Sequence, residues 1–295
     1  MIVPYQPSRR PRVNESEIGR LRYRCYAWGE TTGRHVWLLH GWADCALSFQ
    51  PLVDQLGDEY CLFAPDWRGF GNTSRAPEHY WFPDYLADLE RLLDTYSADR
   101  KVTLIGHSMG ANVAALYAGI RSARVAALAC LDAAGLPAMS PTLAPARYAQ
   151  WLDELRADAP VRDFRTLAEL ISQIRKIAPR LDPAIAAFVA EHWTTQLPDG
   201  RYRLKMDPRH RRVNAVLYRR EEAMACWRNI VGPTLFLLGE ESKLGKSESR
   251  AELVDELHRC FRDCRVETIA KAGHMLHLEA PVATAAALRR FLAGC

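Results

Sequence analysis

Val102-Thr103-Leu104-Ile105 runs directly into Gly106-His107-Ser108-Met109-Gly110, a G-x-S-x-G pattern, and Ala111 to Ile120 follows with helical composition. The apolar run predicts a strand and the segment after it a helix. A serine between the two sits on a sharp turn, its hydroxyl pushed clear of neighbouring side chains. Glycine on either side removes the side chain that would block the close approach such a turn needs. The helix N-terminus beneath the serine also favours developing negative charge. The bare pattern arises by chance in many chains; the strand before it and the helix after it give it weight here.

Outward from this point, strand-like and helix-like patterns alternate, which favours an α/β fold with a mostly parallel sheet and helices on both faces. Leu21–Trp28 alternates like a strand with one solvated side, while 36–39 and 61–64 are continuous apolar runs suited to strands buried on both faces. Further strands are predicted at 125–131, 234–238 and 265–269. Helices are predicted at 46–56, 80–96, 251–261 and 282–292, the second with Leu86, Leu89, Leu92 and Leu93 on one face.

The rhythm breaks between Gly135 and Asn229. Helices are expected at 147–157, 166–177 and 183–195, with no strong strand run. Residues 1–134 and 230–295 therefore read as the core, and 135–229 as a helical lid over the serine. Arg201–Arg220 carries eight basic residues against Asp207 alone. A solvated helical face is the expected reading; recruitment of an anionic partner is the sharper one. Trp151, Trp193 and Trp227 either line a pocket or pack lid helices.

A serine hydroxyl is a poor nucleophile until a base takes its proton. His274, in Ala272-Gly273-His274-Met275 after the last strand, is the favoured base. His277 is the competitor, and the glycine before His274 decides between them by freeing the loop to swing. Acyl transfer also needs two N–H groups aimed at the oxygen that becomes negative. The amide of Met109, next to the serine, is one candidate. Trp42, in His40-Gly41-Trp42 after the 36–39 strand, supplies the other.

These residues resemble the α/β-hydrolase fold family, in its serine-nucleophile branch with a helical lid. The resemblance rests on His40-Gly41-Trp42, Asp66-Trp67-Arg68-Gly69-Phe70-Gly71, Gly106-His107-Ser108-Met109-Gly110, Gly273-His274 and Glu279-Ala280-Pro281. It implies an eight-stranded sheet with the lid after the sixth strand. The Asp66–Gly71 motif reads as structural, tying loops at the rim. One departure stands out. Many relatives carry the triad acid in Gly-x-x-Asp after the seventh strand, and here that stretch is Gly239-Glu240-Glu241-Ser242. Asp132, at the end of the sixth strand, is favoured because some relatives, haloalkane dehalogenases among them, resemble that placement. Glu240 and Glu241 remain as alternatives.

The expected function is a serine hydrolase cleaving a carboxylic ester through Ser108, Asp132 and His274 by way of an acyl-enzyme. Carbon–carbon, thioester and acyl-transfer chemistry use similar groups, and a non-catalytic binding protein is a weaker reading. No cofactor and no metal are expected, and the partner is a small molecule bearing an acyl group. A net charge of +4 is too small and too evenly spread to argue for nucleic acid. Eight cysteines without a C-x-x-C pair read as reduced thiols. Met1–Arg12 shows no apolar leader and no run reaches the length of a membrane helix, so a cytoplasmic protein is expected.

Overall fold

The computed structural model describes residues 5–295, so the first four positions of the Met1–Arg12 reading lie outside the described residues. In chain order the strands are β1 (Arg12–Ile18), β2 (Leu21–Trp28), β3 (Arg34–Leu39), β4 (Tyr60–Pro65), β5 (Val102–His107), β6 (Val125–Leu131), β7 (Asp163–Phe164), β8 (Thr194–Gln196), β9 (Tyr202–Leu204), β10 (Thr234–Gly239) and β11 (Cys264–Ile269). The helices are α1 (Gln50–Val53), α2 (Phe82–Ser97), α3 (Met109–Ile120), α4 (Ala144–Arg156), α5 (Leu167–Ile177), α6 (Pro183–Trp193), α7 (Arg220–Trp227), α8 (Arg250–Cys260), α9 (Leu276–Glu279) and α10 (Pro281–Leu292).

Eight strands form one sheet in the order β1-β2-β4-β3-β5-β6-β10-β11. Only β2 runs against its neighbours β1 and β4; every other pairing is parallel. The chain moves one way from β3 to β4, then returns to the other side of β3 for β5. Open α/β sheets bind ligands at such a reversal, outside the carboxyl ends of the strands. His40 and Ser108 follow those two ends.

Alternate residues of each central strand point to opposite faces, as the two-residue period of a strand requires. Trp37 and Leu39 pack with Leu89, Leu92, Val113 and Tyr117 on one face. Val36 and Leu38 pack with Leu52, Leu288 and Phe291 on the other. No helix of the described residues is long and apolar enough to cross a membrane, and all eight cysteines are free thiols, most of them buried.

The structure adds two things the sequence pattern hides. Strand β1, Arg-Val-Asn-Glu-Ser-Glu-Ile, is a polar, largely exposed edge strand held by its ladder to β2. The segment between β6 and β10 also contains a three-stranded sheet, β7-β9-β8, beside its helices. This insert has its own core of Phe164, Leu170, Ile174, Leu181 and Val189, which rests on Met275 and Leu278 just after His274. Helix α4 contributes no buried side chain to it.

The Arg201–Arg220 stretch is not a solvated helical face. Arg203 makes a two-pronged bond to Asp163 at 2.7 and 2.8 Å. Arg209 holds Asp207 and the carbonyls of Ala76, Pro77 and Glu78. Arg220 grips Glu256 and the carbonyls of Ala134 and Leu136. Forked guanidinium contacts are directional and strong; that of Arg203 ties two strands within the insert, while Arg209 and Arg220 fasten the insert to the core.

Within the Asp66–Gly71 motif, Arg68 makes bonds of 2.6 and 2.7 Å to the buried carboxylate of Asp88 and pairs with Asp84 at 2.7 Å. Asp66 accepts from the amides of Ala46 and Asn72, both at 2.8 Å. Removing one partner of a buried ion pair leaves the other charge uncompensated. Arg68→Leu is therefore expected to lower unfolding free energy by about 3 kcal/mol, read from urea denaturation, whereas Arg91→Leu, an exposed neighbour of the same carboxylate, should change it by less than ~1 kcal/mol.

Candidate active site

Ser108 lies between the last residue of β5 and the first of α3 with φ 52° and ψ −115°. A non-glycine residue holds such a backbone only where its surroundings impose it. The surroundings do so on both sides. Ser108 N donates to Leu131 O at 3.1 Å, and Ser108 O accepts from Ala111 and Asn112. A Cβ on Gly106 would stand 2.4 Å from Ala111 N, and one on Gly110 would stand 2.1 Å from Leu39 O. Both glycines are thus demanded by close approach. The serine is half-buried and its hydroxyl does not cap the helix.

Asp132 follows β6 with φ 47°, a left-handed backbone that aspartate tolerates better than most residues. Its amide donates to Leu237 O at 2.7 Å, and its Oδ1 accepts from Gly239 N at 3.0 Å. Its Oδ2 lies 2.7 Å from His274 Nδ1. The two glutamates point elsewhere: Glu240 accepts from Lys271 N, and Glu241 pairs with Arg180. Of the three candidate acids, Asp132 is the one that reaches the imidazole.

His274 has 43% of its side chain exposed. Its carbonyl accepts from His107 Nε2 at 2.9 Å, and the two rings pack with centroids 4.8 Å apart. His107 immediately precedes Ser108, so this contact ties the histidine loop to the serine turn. The hydrogen bonds of His274 run to Asp132 and His107, not to Ser108.

The loop after β3 is clamped by His40. Its Nδ1–H donates to Gly41 O at 2.8 Å, and its Nε2 accepts from Trp67 N at 2.9 Å. Burial depresses its pKa to about 3, so the ring is neutral and this one tautomer serves both contacts. Trp42 and Met109 line a common crevice of about 150 Å³. Trp42 Nε1 also donates to His210 O in the insert, at 3.4 Å. The His210 ring is stacked between Phe70 and Tyr80, with centroids 3.9 and 3.5 Å away.

Beneath the serine lies a cluster the motifs do not announce. Asp44, His107 and His277 are buried with candidate ligand atoms within 4.8 Å of one another. Both ring nitrogens of His277, His107 Nδ1 and Asp44 Oδ2 have no partner among the described residues. Two neutral imidazoles and a carboxylate form a donor set that a divalent transition metal accepts. Burial holds the pKa of His277 down to about 3. His277, three residues past His274, is fully buried, with its ring packed against Phe49 and His107.

Asp44 also accepts from Trp193 Nε1 of the insert at 2.9 Å, linking α6 to the loop after β3. Burial raises its carboxyl to about 7, above the ~3.9 of an unfolded aspartate. Between those values the folded chain keeps a proton that the unfolded chain has lost, so stability falls as pH rises through that window. Asp44→Asn should show a shallower decline from about pH 4 to about pH 7 in urea midpoints; parallel slopes would contradict the assignment.

With this geometry in view, the relatives can be compared. The profile described as the alpha/beta hydrolase fold matches residues 34–281. The chain belongs to the α/β-hydrolase fold family. Among its α/β-hydrolase relatives is a serine hydrolase-like protein of Danio rerio, 25% identical over 277 residues, covering 91% of this chain and 84% of that protein. Esterase YbfF of Escherichia coli is 25% identical over 264 residues, covering 86% of this chain and 91% of the esterase. A thioesterase domain from the curacin biosynthetic pathway shares the fold at a TM-score of 0.81, with 24% identity over 95% of this chain and 99% of that one.

Proposed function

We propose that this α/β-hydrolase cleaves a carboxylic ester by way of an acyl-enzyme, with Ser108 as nucleophile, His274 as base and Asp132 as the orienting carboxylate. The 2.7 Å contact between Asp132 Oδ2 and His274 Nδ1, on the same rim as the strained Ser108, carries this reading. A carboxylate accepting from Nδ1–H fixes the tautomer, leaving Nε2 unprotonated and able to take a proton. His274 then removes the Ser108 proton as Oγ attacks the ester carbonyl. The amides of Trp42 and Met109 receive the oxyanion, a role in which one donor contributes about 3 to 4 kcal/mol. The alcohol departs with the proton from His274. Water, deprotonated by the same imidazole, attacks the acyl-enzyme and releases the acid. The insert over the crevice of Trp42 and Met109 serves as its lid.

Similarity to a serine hydrolase-like protein of Danio rerio and to an esterase of Escherichia coli supports this reading. The test is labelling with a fluorophosphonate, which phosphonylates an activated serine as Oγ displaces fluoride from phosphorus. One equivalent is expected on the wild-type chain, mapped to Ser108 by peptide mass. Absence of labelling, or capture at another serine, overturns the proposal.

A further inference from the structure

We infer that the groove along α3 binds the acyl part of the substrate, and that this part is an unbranched, uncharged chain of medium length. The inference rests on the serine-hydrolase reading above. Met109, Asn112, Leu116 and Ile120 recur at three- and four-residue spacing and so follow one stripe down α3, which begins at the residue after Ser108. The last three line a groove of about 450 Å³ that shares Phe82 and Asn214 with the crevice of Trp42 and Met109. A path thus leads from the crevice at Met109 along the helix to Ile120 for ~16 Å, at ~1.5 Å per residue. That length suits roughly twelve to fourteen carbons in extended form.

The lining says which chemistry fits. Leu136, Met139, Leu217 and Trp227 face Leu116 across the groove. The charged groups there are Arg147, Arg219 and Glu222, and the last two pair with each other at 3.7 Å. At the mouth, Trp81, Ile120, Leu136 and Val216 are all 44–52% exposed. Large side chains left half in water around one opening mark a surface built to be covered by an apolar ligand. The acyl half is the one that goes there, because it stays bonded to Ser108 while the alcohol leaves, and the stripe begins at Met109, the residue after that serine.

The experiment is a series of p-nitrophenyl esters from acetate to decanoate, with the leaving group held constant and every ester below its micelle concentration. kcat/KM should rise by at least about 30-fold along the series, since each buried methylene can contribute up to roughly fourfold. A flat or falling profile overturns the proposal. Leu116→Trp, which fills the groove, should reduce the decanoate-to-acetate ratio at least tenfold, and an unaltered ratio overturns it. Should that variant fail to fold, Leu136→Glu, exposed and next to the Gly135 amide that Asn112 holds at the serine end of the groove, should lower the same ratio, with the same consequence if it does not. If no ester turns over, the serine-hydrolase reading fails, and calorimetry on Ser108→Ala tests the groove by itself. Decanoate should then bind at least tenfold more tightly than acetate; equal binding overturns the groove assignment.

Discussion

Ser108→Ala is expected to reduce kcat on a short p-nitrophenyl ester by about 10⁴-fold to 10⁶-fold, with no loss of folding stability beyond ~1 kcal/mol. The size follows from the chemistry. The acyl-enzyme of this mechanism cannot form without the Ser108 hydroxyl. The residual rate should be close to what the Trp42 and Met109 amides and substrate positioning supply, since such groups still hold the ester once the nucleophile is gone. The small stability cost follows from the structure: the strained turn is held through the backbone amide and carbonyl of Ser108, which alanine retains. A kcat loss below about tenfold would show that water is activated without Ser108 and would remove the acyl-enzyme from the mechanism.

Asp132→Asn should lower kcat by about 10⁴-fold with a nearly unchanged fold, because an amide in that place can donate to Nδ1 and leave the proton on the wrong ring nitrogen. The comparison that decides the acid is with Glu241→Gln. Glu241 pairs with Arg180 on the surface, and its loss should change kcat by less than about threefold. Equal losses in the two variants, or the reverse ranking, would transfer the role to the Gly239–Ser242 loop.

Much of the fold was legible because its central strands are continuous apolar runs and its functional turns carry glycines that nothing else can replace. Val36–Leu39 and Thr234–Leu238 announce burial on both faces, and Gly106 and Gly110 announce backbones in near contact. β1 was illegible for the opposite reason. Its side chains are polar and exposed, so only backbone pairing holds it, and backbone pairing has no composition. The strands of two or three residues in the insert are too short to show a period. The helix predicted at 46–56 is in fact a 3₁₀ turn at Ala46–Phe49 followed by the single turn of α1, with Pro51 at its start. The basic run misled because sequence counts charges and does not show their partners: Asp163 lies forty residues from Arg203.

The candidate site divides the same way. Ser108, His274 and the two amide positions sit in local patterns that a reader can scan. Asp132 does not, since its role depends on β6 and β10 lying side by side. Asp44 is further from view. It reaches Trp193 across 149 residues and His277 across a fold-dependent distance.

Helix α4 keeps every one of its side chains out of the interior, and Tyr148, Leu152 and Leu155 stand 40–51% exposed. Its anchorage is sparse: Glu154 receives the amide of Val213, and Arg212 reaches the carbonyl of Ala157. Such a piece is interchangeable. Evolution or an engineer could rewrite its outer row of residues, changing what the enzyme prefers to bind, while the sheet below would register almost none of the edit.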